Sequence, residues 1–427
     1  MEDPNSKMKR RIHTEMKKFL ALLLALVMVF ALAACGTPAA DPSDTPDDGA
    51  VSDAPSDTPD DTPSDTPDDT PDDTNYRVAM ITDYGDITDQ SFNQTTYEAC
   101  KEFCEANGLD FNYFKPSSDN DADRIAMVES AIDEGYNVIV MPGYAFANTI
   151  KATAETYSDV TFIALDVGDG DLNPTDENGE LIDEYYELPA NAYSAVYQEE
   201  LCGYMAGYAA VKLGYTKLGF LGGMAVPAVV RYGYGFVQGV DAAAKELDIN
   251  VEMKYVYGGL FYGSADITAV MDTWYSQGTE VVFACGGGVY TSAAEAAAKV
   301  NGKLIGVDVD QSGIIDGAYG EGMTVTSAMK GLAPTVKYML GEVLAGNFAN
   351  HGGKIETLGL VSGDDPEANY VQIPMESTQW SDSFTQDDYK ALVAGMFDGT
   401  IVVSNDTTAE PAVTNVVVDY QGQIVGG

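Results

Sequence analysis

From residue 77 onward the chain repeats one unit, and that repeat constrains the fold more than any other feature. A short apolar run of strand length is followed by a segment with apolar residues at helical spacing, and then by another run. Runs at 77–82 (RVAMIT), 111–115, 137–141 (NVIVM) and 160–167 read as strands, with helices predicted over 90–107, 121–134 and 145–157. Gly108 and Gly135 stand where the first two helices should stop. After a polar stretch at 168–188 the rhythm restarts, with helices over 198–212, 232–247, 267–277 and 291–300 and strands over 217–221, 251–257, 281–285 and 303–307. The strand runs lack polar alternation, so both faces of each should be covered, as in a parallel sheet. Two successive arrays of this kind imply an α/β chain with two doubly wound parallel-sheet lobes.

Ligands of such sheets sit beyond the carboxyl ends of the strands. Those ends carry Thr82-Asp83, Met141-Pro142-Gly143, Leu165-Asp166, Gly222-Gly223-Met224, Gly286-Gly287-Gly288 and Asp308. Polar and glycine residues therefore gather where a ligand would lie, and glycine lets it approach backbone N–H groups. Enzyme signatures are scarce: there is no phosphate-binding G-x-x-x-x-G-K-[ST] loop, no H-E-x-x-H and no G-x-S-x-G elbow. Gly233, Gly235 and Gly239 have the wrong last spacing for a dinucleotide fingerprint and suit close helix packing better. Past residue 35 the one histidine is His351, on a glycine-flanked turn, so a histidine-based triad or metal site is not expected, and no cofactor is expected either.

The amino-terminal part reads as an address and a tether. Lys17 and Lys18 precede an apolar run over 19–32, too short to span a bilayer comfortably, which ends in Leu32-Ala33-Ala34-Cys35. The pattern is similar to the lipobox of bacterial lipoproteins. It predicts a signal peptide over 1–35, with Met16 a natural start and residues 1–15 an extension ahead of it. Cys35 would take lipid and anchor the chain on the extracytoplasmic face of the membrane. Residues 36–75 hold thirteen aspartates with Thr, Ser and Pro and no Lys or Arg, a composition that stays solvated. The whole chain has 67 acidic against 22 basic residues, a net charge of −45, which excludes nucleic-acid binding. Cys100, Cys104, Cys202 and Cys285 lack zinc-finger spacing and are expected as buried free thiols.

Four segments in register resemble the basic membrane protein family of solute-binding lipoproteins, purine nucleoside receptor type. They are TDYGDITDQSFNQ (82–94), GFLGGMAVPAVVRYGYGFVQG (219–239), IGVDVDQ (305–311) and TVTSAMK (324–330). The resemblance implies a type I periplasmic-binding-protein fold whose lobes are joined by a three-strand hinge. It also implies delivery of a small molecule to the permease and ATPase subunits of an ABC importer, with no bond made or broken. It divides the folded part into an N-terminal lobe of 76–197 and 323–350 and a C-terminal lobe of 198–322 and 351–427. Phe92 matches one family stacking residue and Phe261 falls at the other; Tyr144 and Tyr290 are competing platforms. Asp166 matches the base-reading aspartate, Asp308 the ribose-binding one, and Lys330 the lysine that donates to ribose and pairs with Asp308. Asp83 and Asn93 would line or buttress the cleft, and Gly286 and Gly287 would lend backbone groups. The sequence departs from the family at Cys285–Tyr290 (CGGGVY) and at 260–264 (LFYGS), and it runs longer past Asn347.

Other readings remain open. Two carboxylates and aromatic platforms suit a simple sugar or another small metabolite nearly as well. A lipoprotein of this shape also serves as a sensor for a membrane signalling partner. Asp83, Asp86 and Asp89 have a spacing compatible with a hydrolase site, although the surrounding Gly and Ser suit ligand binding better.

Overall fold

The computed structural model describes residues 76–83, 85–176 and 178–426. The leader, Cys35 and the tether lie outside the described residues.

The strands are β1 Arg77–Ile81, β2 Asp110–Phe114, β3 Val138–Pro142, β4 Thr161–Leu165, β5 Ala192–Tyr197, β6 Lys217–Gly222, β7 Val251–Tyr257, β8 Val281–Cys285, β9 Lys303–Asp308, β10 Thr324–Lys330, β11 Lys354–Leu358, β12 Val371–Gln372 and β13 Val416–Gln423. They form two sheets. The first has the order β11-β5-β4-β3-β1-β2 and the second β12-β10-β9-β8-β6-β7-β13. Every ladder is parallel except β10 with β12. The two central orders, 2-1-3-4-5 and 7-6-8-9-10, are the same pattern written twice.

The apolar strands split their side chains between two cores. Val78, Val138 and Ile163 belong to one buried cluster, while Ala79, Ile139 and Phe162, one residue along, belong to another. This period-2 split of residues that are all apolar is why the sheets are covered on both faces. The chain crosses between lobes three times, after β5, β10 and β11. The crossings are bonded side by side: Gln198 N–H to Leu358 O, Tyr370 N–H to Gly359 O, and Gly331 N–H to Tyr370 O.

Two segments fall on the other sheet from the one expected. Thr324–Lys330 (β10) lies in the second sheet beside β9, and Lys354–Leu358 (β11) lies in the first beside β5. The helix Leu332–Leu344 between them does belong with the first lobe, where Lys337 pairs with Glu102 at 2.7 Å. Chain order does not say which sheet accepts a strand beside a crossing, so the side of each was settled only by the ladders.

The two long helices of the second lobe pack unusually close. Built as alanine, Gly203 and Gly207 would meet the carbonyls of Tyr232 and Phe236 at 2.2 and 2.3 Å. Gly235 and Gly239 would meet those of Glu200 and Tyr204 at 2.1 Å. The helix Glu199–Lys212 thus lies backbone to backbone on Pro227–Glu246, the packing role expected of Gly235 and Gly239. Cys100, Cys104, Cys202 and Cys285 are buried free thiols.

Candidate functional site: the cleft between the lobes

The carboxyl ends of both sheets face one cavity of about 700 Å³. Equivalent strand ends meet there. Gly143 after β3 and Gly286 after β8 have φ of 127° and 138°. Asp166 after β4 and Asp308 at the end of β9 both adopt left-handed backbone, with φ of 60° and 65°. For a non-glycine residue that conformation costs about 1–2 kcal/mol, and Asp tolerates it because its short carboxylate can bond locally. Retained twice at the same place in two lobes, it turns a carboxylate into the cleft.

All ten sequence-predicted site residues line this cavity. From the first lobe come Asp83 and Phe92, Asn93 at the start of Phe92–Asn107, Tyr144, and Asp166. From the second come Phe261, Gly286 and Gly287, with Asp308 and Lys330 at strand ends. Asp89 accepts the backbone N–H groups of Ser91, Asn93 and Gln94, which fixes the turn that presents Phe92 and Asn93. Phe261 lies over the glycine turns: a Cβ on Gly223 or Gly286 would meet its ring at 2.4 or 2.8 Å. Phe261 O also accepts from Gly288 N–H at 2.8 Å. The departures from the family at 260–264 and 285–290 thus form one interlocked unit. Tyr290, the competing platform, does not line the cavity. It opens the helix Tyr290–Ala298 and is buried in the second lobe's core.

At the cleft floor Lys330 is almost enclosed. Its Nζ lies 2.5 Å from Asp166, 3.3 Å from Glu199 and 3.8 Å from Asp308. It also lies 4.7, 5.5 and 5.6 Å from the ring centres of Phe92, Tyr197 and Tyr232. The expected partner of Lys330 was Asp308; its shortest contact is with Asp166, across the lobes. Burial alone would lower the Lys330 pKa, but Asp166, Glu199 and Asp308 outweigh it and hold it above its ordinary value. Burial pushes the Asp166 carboxyl up to about 6, with Lys330 pulling the other way. Asp308 is held by donors: Ser91 Oγ at 2.5 Å and Tyr232 OH at 3.4 Å. Asp166 Oδ1 and Asn93 Oδ1 are buried acceptors with no hydrogen-bond partner among the described residues.

Sequence reasoning missed Glu199, Arg231, Ser91 and Tyr232. Glu199 is fully buried, and Arg231 donates to it at 2.6 Å. One signal was present: Glu199 and Glu200 open a helix that is apolar on every face (LCGYMAGYAAV), so its first turn had to be buried together with its acids.

Two doubly wound lobes with a shared cleft and three crossings define the type I periplasmic-binding-protein fold. Among solved structures, an ABC transporter solute-binding protein from Aeropyrum pernix superposes with a TM-score of 0.58 at 21% identity, covering 78% of this chain and 88% of that one. Residues 76–387 match the family described as ABC transporter substrate-binding protein, PnrA-like, and the chain belongs to that family. Its relatives include the ABC transporter nucleoside-binding protein BmpA of Lactococcus lactis subsp. cremoris, 26% identical over 309 residues, or 68% of this chain and 80% of the relative. Basic membrane protein A of Borreliella afzelii is 27% identical over 290 residues, 67% of this chain and 81% of the relative. The family is one of binding proteins for transport, not of enzymes.

Proposed function

We propose that the chain is the lipid-anchored, extracytoplasmic binding component of an ABC importer, and that its two lobes close on a purine nucleoside. The observation that carries this reading is the pairing of two aromatic rings with unpartnered acceptors. Phe92 and Phe261 enter the cleft from opposite lobes, and Asp166 Oδ1 and Asn93 Oδ1 lie buried without a donor among the described residues. A flat heterocycle supplies faces for the rings, and its N–H groups supply the missing donors; base stacking on aromatic rings is worth about 1–3 kcal/mol per base. The cavity lies within the usual 300–1,000 Å³ of a small-molecule site. Its lining includes seven aspartates against Lys115, Arg231 and Lys330, a balance that repels a phosphate and favours a neutral nucleoside over a nucleotide. The name of the Lactococcus relative points the same way. The leader ending in Cys35 supports anchorage on the extracytoplasmic face of the membrane, beside the importer's permease, which the ATPase drives from the cytoplasmic side.

Thermal unfolding with and without guanosine, adenosine and inosine tests the reading. At a hundredfold excess over Kd, a ligand that binds only the folded chain adds about 2.7 kcal/mol. No shift with any of the three rejects purine nucleosides, and a shift with ribose or a hexose instead moves the assignment to sugars.

A further inference from the structure

The family match ends at residue 387, yet the chain continues as ordered structure to residue 426. We propose that this added segment builds part of the cleft wall and that Thr407 is a specificity-determining residue for the bound molecule. The proposal rests on the cleft being the ligand site, not on the ligand being a nucleoside.

After the helix Gln386–Phe397 the chain runs along the outside of Pro227–Glu246, whose first turns bring Pro227, Ala228 and Arg231 to the cleft. It is tied down at both ends of that run. Gln238 makes a reciprocal pair with Ser404, donating to its carbonyl and accepting from its N–H, both at 2.9 Å. Asp241 Oδ1 accepts from Thr414 N–H at 2.7 Å and Asn415 N–H at 2.6 Å. The tip between these anchors is fixed from within, because Asp406 Oδ1 accepts from both the N–H and the hydroxyl of Thr408, at 2.8 and 2.6 Å. Along the tip Asn405, Asp406, Thr408 and Ala409 are exposed, whereas Thr407 is half-buried and lines the cavity.

The remainder of the segment backs one wall of the cleft without lining it. β13 pairs in parallel with β7, and beyond it Ile424 N–H bonds to Tyr257 O and Val425 N–H to Gly258 O, at the root of the loop that carries Phe261. Two second-lobe walls of the cavity therefore depend on chain outside the family match. Threonine suits a selecting position: its branched carbon restricts the side chain to few rotamers, and it offers one methyl and one hydroxyl to whatever passes the rim.

The test is to titrate full-length wild-type, Thr407→Trp and Ala409→Trp proteins with guanosine, inosine, D-ribose and D-galactose. The ligand-free unfolding midpoint of each is recorded alongside. Thr407→Trp is expected to weaken the wild type's best ligand at least about tenfold, to weaken a nucleoside more than ribose, and to keep the ligand-free midpoint. Ala409→Trp, exposed on the same tip, is expected to bind as wild type does. Unchanged affinity and selectivity in Thr407→Trp overturns the proposal, as does an equal loss in Ala409→Trp. A wild type that takes only a sugar, with that affinity lost in Thr407→Trp, overturns the nucleoside assignment and upholds the role of Thr407.

Discussion

The two lobes repeat one backbone and use it differently. Asp166 and Asp308 end equivalent strands in the same left-handed conformation, yet their surroundings diverge. Asp308 is met by Ser91, Tyr232 and Lys330, so its oxygens are already engaged. Asp166 has Lys330 on one oxygen and, among the described residues, no hydrogen-bond partner on the other. The repeat supplies a carboxylate at each strand end, and the neighbours decide what it does. Asp308 bonds to the other lobe across the cleft, and under the proposed function Asp166 keeps an acceptor for the ligand. Lys330 serves both, at the end of β10 where the chain leaves the second lobe.

The largest effect should come from removing that shared cation. Lys330→Met leaves Asp166, Glu199 and Asp308 crowded without their common counter-charge. Breaking a buried pair in this way costs about 3–5 kcal/mol, so the urea midpoint at pH 7 should fall sharply. A loss under about 1 kcal/mol would mean that the lobes do not share one charge centre.

Asp166→Asn should come next, and it separates the two aspartates. A charged acceptor lost from a ligand contact is worth about 1.5–3 kcal/mol, a Kd rise of tenfold or more by titration. The pH profile sharpens this. Burial raises the Asp166 pKa to about 6, so the ionised acceptor is lost as pH falls through that value. Wild-type affinity should rise between pH 5 and 7, while Asp166→Asn should lack that rise. The linkage to folding has the opposite sign: a raised carboxylate pKa favours the folded state at low pH, a contribution that fades from about 4 to 6. An equal loss of affinity in Asp308→Asn, with the same pH profile, would erase the distinction between the lobes.

The repeat itself was legible in the sequence, because buried parallel strands are continuous apolar runs and their polar ends stand out. That is why Asp83, Asp166, Gly286 and Asp308 stood out at strand ends, whereas Phe92, Asn93, Phe261 and Lys330 were placed by the family resemblance; all ten line one cleft. What escaped depended on the crossings. The apolar helix behind Glu199 signals that the acid is buried, but nothing local names its partner; the hinge brings Lys330, 131 residues away, to within 3.3 Å. β5 (AYSAVY) follows a polar stretch, and β11 (KIETL) alternates polar and apolar as an edge strand does, so neither reads as a buried run.

Adjacent glutamates at the first crossing extend the comparison to a smaller scale. Glu199 is paired with Arg231 and Lys330; Glu200 is buried beside it with Oε2 unpartnered, and burial pushes its pKa up to about 7. Because the folded pKa lies above the unfolded value, ionising Glu200 destabilises the fold as pH rises from about 4.5 to 7, and the penalty is complete above that. Glu200→Gln should therefore stabilise the protein by on the order of 2 kcal/mol at pH 8, after allowing for an amide that also lacks a partner, and by far less at pH 5. Thermal unfolding at the two pH values checks this, and a destabilised variant at pH 8 would show that Glu200 has a partner after all.

The smallest effect falls on one of several bonds that tie the lobes directly. Ser91 belongs to the first lobe and Asp308 to the second, so the hydroxyl's bond to Asp308 Oδ2 exists only when the cleft is closed. Ser91→Ala removes a donor to a charged acceptor but leaves Tyr232 and Lys330 beside Asp308, so the closed state should lose only about 1 kcal/mol. That is enough to shift a closed–open equilibrium about fivefold toward open, because the bond favours one state alone. Small-angle scattering without ligand should then give a larger radius of gyration for Ser91→Ala than for wild type, and saturating ligand should restore it. An unchanged radius together with unchanged affinity would place Asp308 with the ligand-reading groups, and the two lobes would then be alike in role as well as in backbone.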